Sequence, residues 1–214
     1  MSLKKYRTMG NADEKSFFDF FKKNFKILII CGGFLFLLLI FIIGYSSYNE
    51  KIKDESLKIF EETIKPYHEI LVKNDKKSLK EMTIRANGSF SKIKDDNIKT
   101  LSSLYMGNFS IDLNEFKDAI KYYEEFTKKS DDKFLHIITR LNQGLAYEEL
   151  KLYPQALECF QKALQISEPN FLKNELNMAI ARCYEKTGKI DQAKIIYKNL
   201  ADSEEAKYRL KNLP

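Results

Sequence analysis

The chain has 214 residues, a net charge of +6 and 31% charged residues, but these averages conceal one long uncharged segment. Eight Gly and four Pro exclude collagen-like and Pro/Gly-rich disordered chains, and three Cys are too few for a disulfide scaffold. Two histidines, His68 and His136, exclude a His-rich metal site, and we predict surface positions for both. Residues 1–26 carry +4 of the net charge, which leaves +2 for the rest and no dense basic stripe of the nucleic-acid-binding kind.

The first predicted element is a basic and aromatic segment, residues 1–26. Phe17, Phe21 and Phe25 recur every fourth residue and form an apolar stripe on a predicted helix. Two interpretations remain open for this stripe. It belongs either to an interfacial helix lying on the inner leaflet or to a docking helix for another membrane protein.

A transmembrane helix is predicted next, within residues 27–48. Ile27 to Tyr45 has no charge, and as a helix its 19 residues measure about 28 Å, close to a hydrocarbon core of about 30 Å. A buried core helix is rarely so long and uniform. A cleaved signal peptide has an apolar core of about 7–15 residues, shorter than this one, and Gly44-Tyr45-Ser46 is a weak cleavage site.

The charges around this segment predict its orientation. Seven Lys/Arg precede it, whereas only Lys51, Lys53 and Lys58 lie within the next fifteen residues. We therefore expect a cytoplasmic N-terminus, with residues 46–214 on the other side of the membrane.

Residues 49–99 predict helices with weak repeat character, either a helical linker or a degenerate repeat. A first apolar stripe ends before Pro66, Asn74-Asp75 predicts a break, and Asn87-Gly88 predicts a turn. The two stripes are Ile52, Leu57, Phe60 and Ile64, and then Leu79, Met82 and Ala86.

Residues 100–201 contain three units with a period of 37 residues. The rows that recur are Ala119, Ala156 and Ala193; Tyr123, Phe160 and Tyr197; Gly107, Gly144 and Ala181; and Ser110, Tyr147 and Tyr184. Small residues permit two helices to cross closely and bulky residues fill the space beside them, so each unit predicts a helix pair. Pro154 fits the first turn of a second helix. Ser203 to Leu213, within residues 202–214, predicts a closing helix that covers the last unit.

This pattern resembles the tetratricopeptide repeat, most closely between Leu141 and Leu164. The family period is about 34 residues, so each unit here is longer, and Arg140 and Gln143 replace the family's usual Trp and Leu. The resemblance implies an all-α chain: a single N-terminal transmembrane helix followed by an α-solenoid of tetratricopeptide-like helix pairs.

No phosphate loop, nucleophile elbow or metal-spaced His/Cys cluster occurs in the sequence. We therefore predict no enzyme, no cofactor, no metal, no nucleic-acid partner and no small-molecule substrate. Cys159 and Cys183 lie in adjacent units, where an oxidising compartment would allow a bridge, but their helical settings favour separate packing positions.

A protein-binding surface is the remaining prediction. In such arrays the first helix of each pair lines the concave side. Its predicted exposed positions are Leu104, Asn108, Leu141, Leu145, Glu148, Met178, Arg182 and Glu185. Leu104, Leu141 and Met178 repeat at 37, which is explained either by an apolar groove for a partner or by packing against neighbouring helices.

The complete layout resembles the YfgM-like ancillary subunits of the bacterial Sec translocon. The similarity lies in Phe17-Phe18 ahead of the span, the helical repeats, and the ending around Leu210-Lys211-Asn212-Leu213. It implies a bacterial inner-membrane protein whose periplasmic repeats work with Sec translocon subunits and a periplasmic chaperone or isomerase. A scaffold for assembly of an envelope, division or secretion complex is the alternative function.

Overall fold

The computed structural model describes residues 3–167, 172–200 and 202–214, with only the backbone for residues 3–21 and 28. Every element in these ranges is an α-helix. The chain divides into two compact units, one that ends at Ile52 and one that extends from Lys53 to Pro214.

The first unit is one helix. α1 runs Leu3–Ile64, and its residues up to Ile52 form this unit. The helix is long and apolar enough to cross a membrane, and none of its apolar window is buried. The core helix of a soluble protein buries such a surface, so this exposed apolar helix is a candidate membrane span.

The second unit contains the end of α1 and nine further described helices. They are α2 (Tyr67–Val72), α3 (Lys76–Phe90), α4 (Asp96–Asp112), α5 (Phe116–Lys129), α6 (Lys133–Glu149), α7 (Tyr153–Ile166), α8 (Lys173–Lys186), α9 (Ile190–Asn199) and α10 (Glu204–Asn212). The pairs α4/α5, α6/α7 and α8/α9 are the three predicted repeats. α10 packs on α9 through Ala206 and is the predicted closing helix.

Side-chain caps begin several of these helices. The carboxylates of Asp75, Asp95 and Asp132 accept hydrogen bonds from backbone amides in the first turns of α3, α4 and α6, and Ser203 does the same for α10. Each cap satisfies a helix-terminal N–H group that has no partner inside the helix. Pro154 lies in the first turn of α7, as predicted.

The turn inside each repeat also follows the 37-residue period. Asn114, Lys151 and Gly188 have left-handed backbones, with φ of 60°, 60° and 75°. In each turn the next residue donates its backbone N–H to the carbonyl oxygen five residues earlier. These bonds run from Glu115 N to Ser110 O (2.8 Å), from Leu152 N to Tyr147 O (2.9 Å) and from Lys189 N to Tyr184 O (2.9 Å). This combination is the Schellman ending of a helix, and it reverses the chain into the second helix of the pair.

Close helix crossing explains the rows of small and aromatic residues. A Cβ atom on Gly144 would lie 2.4 Å from Cε1 of Phe160, and one on Gly107 would lie 2.4 Å from Cε1 of Tyr123. The aromatic rings therefore occupy the space that a side chain on the first helix would need. Ala119, Ala156 and Ala193, which recur at 37 residues on the second helices, are fully buried.

Residues 53–95 hold a helix–turn–helix before the first regular repeat. The α2–α3 turn has the same hydrogen bond, from Asp75 N to Ile70 O (3.3 Å), with a left-handed Asn74. The rings of Phe60 and Phe90 stack with centroids 5.7 Å apart in the core of this region. Ser56 is buried there, and its Oγ accepts hydrogen bonds from the amides of Lys94 and Asp95.

One local prediction in this region is wrong. Asn87-Gly88 forms no turn, because α3 continues through both residues to Phe90. Ala86 and Phe90 are buried on its inner side, so their packing holds the helix across a glycine that favours a break. The predicted break at Asn74-Asp75 and the interruption at Pro66 are confirmed, since α1 ends at Ile64 and α2 ends at Val72.

Candidate functional site

Side chains of the first helices of the repeats meet side chains of α10 on one surface of the second unit. This first-helix face consists of Asn108, Asn142, Leu145, Glu148, Arg182, Glu185, Glu205 and Arg209. Hydrogen bonds and ion pairs connect α4 to α6, α6 to α8 and α8 to α10 across it. Five of the eight predicted positions lie on this face.

The three apolar positions that repeat at 37, Leu104, Leu141 and Met178, are not part of the face. Leu104 and Met178 are only 5% and 7% exposed, so the prediction that they are exposed is wrong. Leu104 packs with Tyr123 and Phe126, Met178 packs with Tyr197, and Leu141 is half-buried against the core of the middle repeat. Leu104 and Met178 therefore pack mainly against the second helix of their own pair.

An amide pair joins α4 and α6. The Oδ1 of Asn108 accepts a hydrogen bond from the Tyr123 hydroxyl (2.8 Å) and a longer one from Nδ2 of Asn142 (3.4 Å). Burial of the Tyr123 ring raises the pKa of its hydroxyl above the usual value, so the hydroxyl remains a donor. Tyr123 thus fixes the orientation of an amide that is half exposed on the face.

An ion-pair network joins α6, α8 and α10. Nε and Nη2 of Arg182 each donate to one carboxylate oxygen of Glu148, both at 2.9 Å, and these two side chains are 20% and 16% exposed. This hydrogen bonding raises the pKa of the Arg182 guanidinium. Glu205 lies 3.9 Å from Nη1 of Arg182 and 2.8 Å from Nε of Arg209. A bidentate pair within such a network contributes more than isolated surface pairs do.

Glu185 completes the network. Its Oε2 accepts a hydrogen bond from the Tyr197 hydroxyl at 3.0 Å and lies 3.3 Å from Nη1 of Arg209. Three carboxylates and two guanidiniums therefore meet here, and the network has a net charge of −1. Glu148, Arg182 and Glu185 were predicted as exposed positions, whereas in the structure they are partly buried members of one network.

Leu145 is the exposed apolar side chain of the first-helix face, at 38% exposure. It lies one turn of α6 from Asn142 and one turn from Glu148. Leu145 occupies the repeat position that Asn108 and Arg182 occupy in the neighbouring repeats, 37 residues before and after it. The face therefore offers one apolar contact flanked by amides on one side and charges on the other.

A cavity of about 320 Å³ opens beside the network, between α8, the end of α9 and the start of α10. Three carboxylates line it together with amide, hydroxyl and apolar groups. The lining residues are Asn174, Glu175, Met178, Asn199, Leu200, Asp202, Ser203 and Glu205. Because Glu205 belongs both to the cavity lining and to the ion-pair network, the cavity extends the acidic part of the first-helix face.

The other predicted residues have simpler surroundings. Cys159 and Cys183 are free and buried, and burial raises the pKa of the Cys159 thiol to about 11 and of the Cys183 thiol to about 12. His68 is exposed, as predicted, whereas His136 is half-buried with Nε2 2.6 Å from the Ser130 carbonyl. In the ranges that the structure describes, no group of His, Cys, Asp and Glu is placed to hold a metal ion.

The predicted N-terminal stripe is only partly described. Phe25 is exposed on α1. The side chains of Phe17 and Phe21 lie outside the described residues, so the two interpretations of the stripe remain predictions.

Sequence reasoning missed Asn142, Glu205 and Arg209. The Asn108–Asn142 and Glu148–Arg182 pairs are both separated by 34 residues, which is the repeat period less about one helical turn. Polar residues at this spacing were a usable signal for contacts between neighbouring first helices. Arg209 and Glu205 lie on the closing helix, outside the period, and gave no comparable signal.

Comparison with known proteins agrees with this architecture. Residues 138–170 and residues 177–213 match two family models, each described as a tetratricopeptide repeat. The sequence matches no curated protein. The crystal structure of BtubC (BKLC) from P. vanneervenii is 13% identical with a TM-score of 0.50, and the match covers 70% of each chain. The crystal structure of MamA is 19% identical with a TM-score of 0.43, and the match covers 73% of this chain and 95% of that one.

At 13% identity the likeness to the BtubC structure concerns the fold alone. The family matches fall on α6 to α10, which contain most of the first-helix face. Repeats of this type are in general protein-interaction modules and not enzymes. Residues 138–170 and 177–213 of the second unit are therefore similar to tetratricopeptide repeats, the helix-pair architecture of protein-binding adaptors and scaffolds.

Proposed function

We propose that the chain is a membrane-anchored tetratricopeptide repeat adaptor that binds proteins outside the cytoplasm, in association with the Sec translocon and periplasmic folding factors. The repeats support the adaptor role. The apolar, exposed α1 supports the membrane anchor, and the Lys/Arg asymmetry around it supports the orientation. The layout that resembles YfgM-like subunits supports the choice of partners.

The exposed Leu145 within a prearranged polar surface is the observation that carries the protein-binding role. Asn108 is oriented by Tyr123, and the Glu148 and Arg182 side chains are oriented by each other. Groups held in place before binding lose little conformational freedom when a partner arrives, which favours affinity. The partner segment that fits has an apolar side chain for Leu145, backbone groups for the amides and a cationic group for the acidic cavity.

Site-specific photocrosslinking in native cells tests this role. A benzoylphenylalanine at position 145 should crosslink to Sec subunits or to a periplasmic folding factor, identified by mass spectrometry. The matched control is position 195, where Ile195 is more exposed than Leu145 but lies on α9, away from the first-helix face. Equal crosslinking at both positions would contradict binding by the face, and identified envelope-assembly proteins would favour the scaffold function.

Reporter fusions test the orientation independently. A C-terminal alkaline phosphatase fusion should be active and a C-terminal GFP fusion dark, because phosphatase folds outside the cytoplasm and GFP does not fluoresce there after Sec export. The reverse pattern would place the repeats in the cytoplasm and contradict the proposed location.

A further inference from the structure

The solvent-facing side of α3 is unlike that of any other second helix in the described part of the chain. Residues 76–94 contain six cations and a single acid, Glu81. The cations are Lys76, Lys77, Lys80, Arg85, Lys92 and Lys94, and all six are exposed. Among the described residues, none of these six side chains makes an ion pair or a hydrogen bond.

On α5 and α7, the second helices of the first two regular repeats, most Lys side chains pair with an acid about one turn away. On α5, Lys121 pairs with Asp118 (3.0 Å), Lys128 pairs with Glu124 (3.9 Å), and Lys129 pairs with Glu125 (2.8 Å). On α7, Lys162 pairs with Glu158. The positive field of α3 is therefore not a general property of this lysine-rich chain.

Apolar side chains accompany the cations of α3. Ile84 is 66% exposed near the middle of the solvent-facing side, and Val72, at the end of α2, is 73% exposed. A face that combines unpaired Lys/Arg with exposed aliphatic side chains is typical of contact with a lipid surface, where the cations meet phosphates and the aliphatic groups meet the acyl boundary.

A cavity of about 560 Å³ adjoins this face, between the end of α1 and α3. Its apolar wall includes Ile59, Pro66 and Met82, its cations are Arg85 and Lys92, and its acid is Glu62. Two cations against one carboxylate leave the cavity positive. Its chemistry fits an anionic headgroup joined to an apolar chain.

We propose that the α3 face, with the adjoining cavity, binds the surface of a bilayer that contains anionic phospholipid. This inference rests on the membrane anchor of the proposed function, because the anchor holds the face at a high effective concentration near one bilayer. Lys and Arg side chains near a membrane surface are attracted to anionic lipid. The contact gives the repeats a preferred orientation to the membrane when anionic lipid is present.

Fluorescence quenching on the full chain in nanodiscs tests the proposal. A bimane label is placed at Gly88→Cys, where a Cβ atom meets nothing within 4 Å, in a Cys31→Ser background. Cys159 and Cys183 are buried with raised thiol pKa values and react slowly. The discs contain a lipid with a headgroup nitroxide, in phosphatidylcholine alone or with an equal share of phosphatidylglycerol.

We expect quenching to rise in the anionic discs and to return to the neutral-disc value at high salt, since salt screens exposed charges. The triple variant Lys80→Glu, Arg85→Glu, Lys92→Glu should lose the increase. The control variant Lys117→Glu, Lys121→Glu, Lys128→Glu makes the same change in charge on α5 and should keep it. If the first variant melts early, the Gln versions of its three changes replace it.

Equal quenching in neutral and anionic discs would overturn the inference, and so would an equal loss in the α5 control. In that case an acidic protein becomes the fitting partner for α3. Co-elution of the chain with the discs is measured separately. Failure to co-elute would overturn the membrane anchor of the proposed function and this inference with it.

Discussion

The middle repeat, α6/α7, and the helix pair before the first repeat, α2/α3, place large and small side chains on opposite helices of the pair. In the middle repeat, Gly144 on the first helix leaves space for the Phe160 ring of the second. The first repeat, α4/α5, has the same arrangement with Gly107 and Tyr123. When α2/α3 is aligned with α4/α5 through the left-handed turn residues Asn74 and Asn114, 40 residues apart, Tyr67 corresponds to Gly107 and Thr83 corresponds to Tyr123. In α2/α3 the large side chain therefore lies on the first helix, whereas in the regular repeats it lies on the second.

This exchange changes what holds each pair together. Tyr67 contacts Phe109 edge to face, with centroids 4.6 Å apart, and its hydroxyl donates to Asp112, so α2 is held by α4. The last turns of α1 supply Phe60 to the same core. The regular repeats are thus held by a contact inside each pair, whereas the first pair depends on the helices before and after it.

The largest expected effect is the loss of the ring inside the middle repeat. Phe160 is fully buried, so Phe160→Ala should lower the free energy of unfolding by about 3 to 5 kcal/mol. Urea unfolding followed by circular dichroism measures it. Leu57→Ala, at a position 39% exposed on α1, is the matched control and should cost far less. Similar losses in both variants would contradict a contact within the pair.

Two Gly→Ala substitutions, one in each region, should change the free energy of unfolding in opposite directions. Gly144→Ala forces the Phe160 ring to move and should destabilise by about 1 to 3 kcal/mol. Gly88→Ala meets nothing within 4 Å inside α3 and should stabilise by about 0.5 to 1 kcal/mol, because alanine favours the helix. Thermal unfolding compares the two variants. A gain in stability from both would show that the close crossing at Gly144 is not needed.

Removal of the Ser56 hydroxyl should weaken the first helix pair. Ser56→Ala leaves the part-buried amides of Lys94 and Asp95 without their acceptor, which should cost about 1 to 2 kcal/mol. Hydrogen exchange at these two amides should rise. Ser91→Ala, at an exposed serine after α3, is the control and should stay within about 0.5 kcal/mol of the parent. No change in exchange would mean that Ser56 does not hold the α3–α4 connection.

Alkaline pH should weaken the later repeats before the first pair. Burial raises the folded pKa of Cys159 to about 11 and of Cys183 to about 12, above an unfolded value of about 8.5. The unfolded chain therefore loses these protons first, so the stability is fully present below about pH 8.5 and falls as pH rises towards 11. A loss of about 2 kcal/mol per thiol by pH 10 is expected in urea titrations, because each buried thiol contributes about 1.4 kcal/mol per pH unit above pH 8.5.

The double variant Cys159→Ala, Cys183→Ala should flatten this pH dependence. Buried tyrosines titrate at higher pH, because their unperturbed pKa is about 10. Amide exchange at pH 10 should rise in α7 and α8 more than in α3, since both thiols lie in the later repeats. An unchanged slope in the double variant would contradict the assignment to the thiols.

Local side-chain patterns were enough to predict the helix pairs, the closing helix and the apolar α1. Small and aromatic residues at fixed spacing report the contact inside a pair, and that contact depends on residues close together in the sequence. The turn ending in Asn114, Lys151 and Gly188 is equally local, because a Schellman ending needs only one helix end.

The first-helix face depended on the tertiary structure. The period places Leu104, Leu145 and Met178 on first helices, but it does not decide which of these side chains are covered. Packing against the second helix of the same pair buries Leu104 and Met178, and Leu145 stays exposed. The turn of one pair relative to the next brings Arg182 to Glu148. The angle between neighbouring pairs depends on the packing of many side chains on both sides of each helix. It therefore cannot be read from one set of residues that recur at 37.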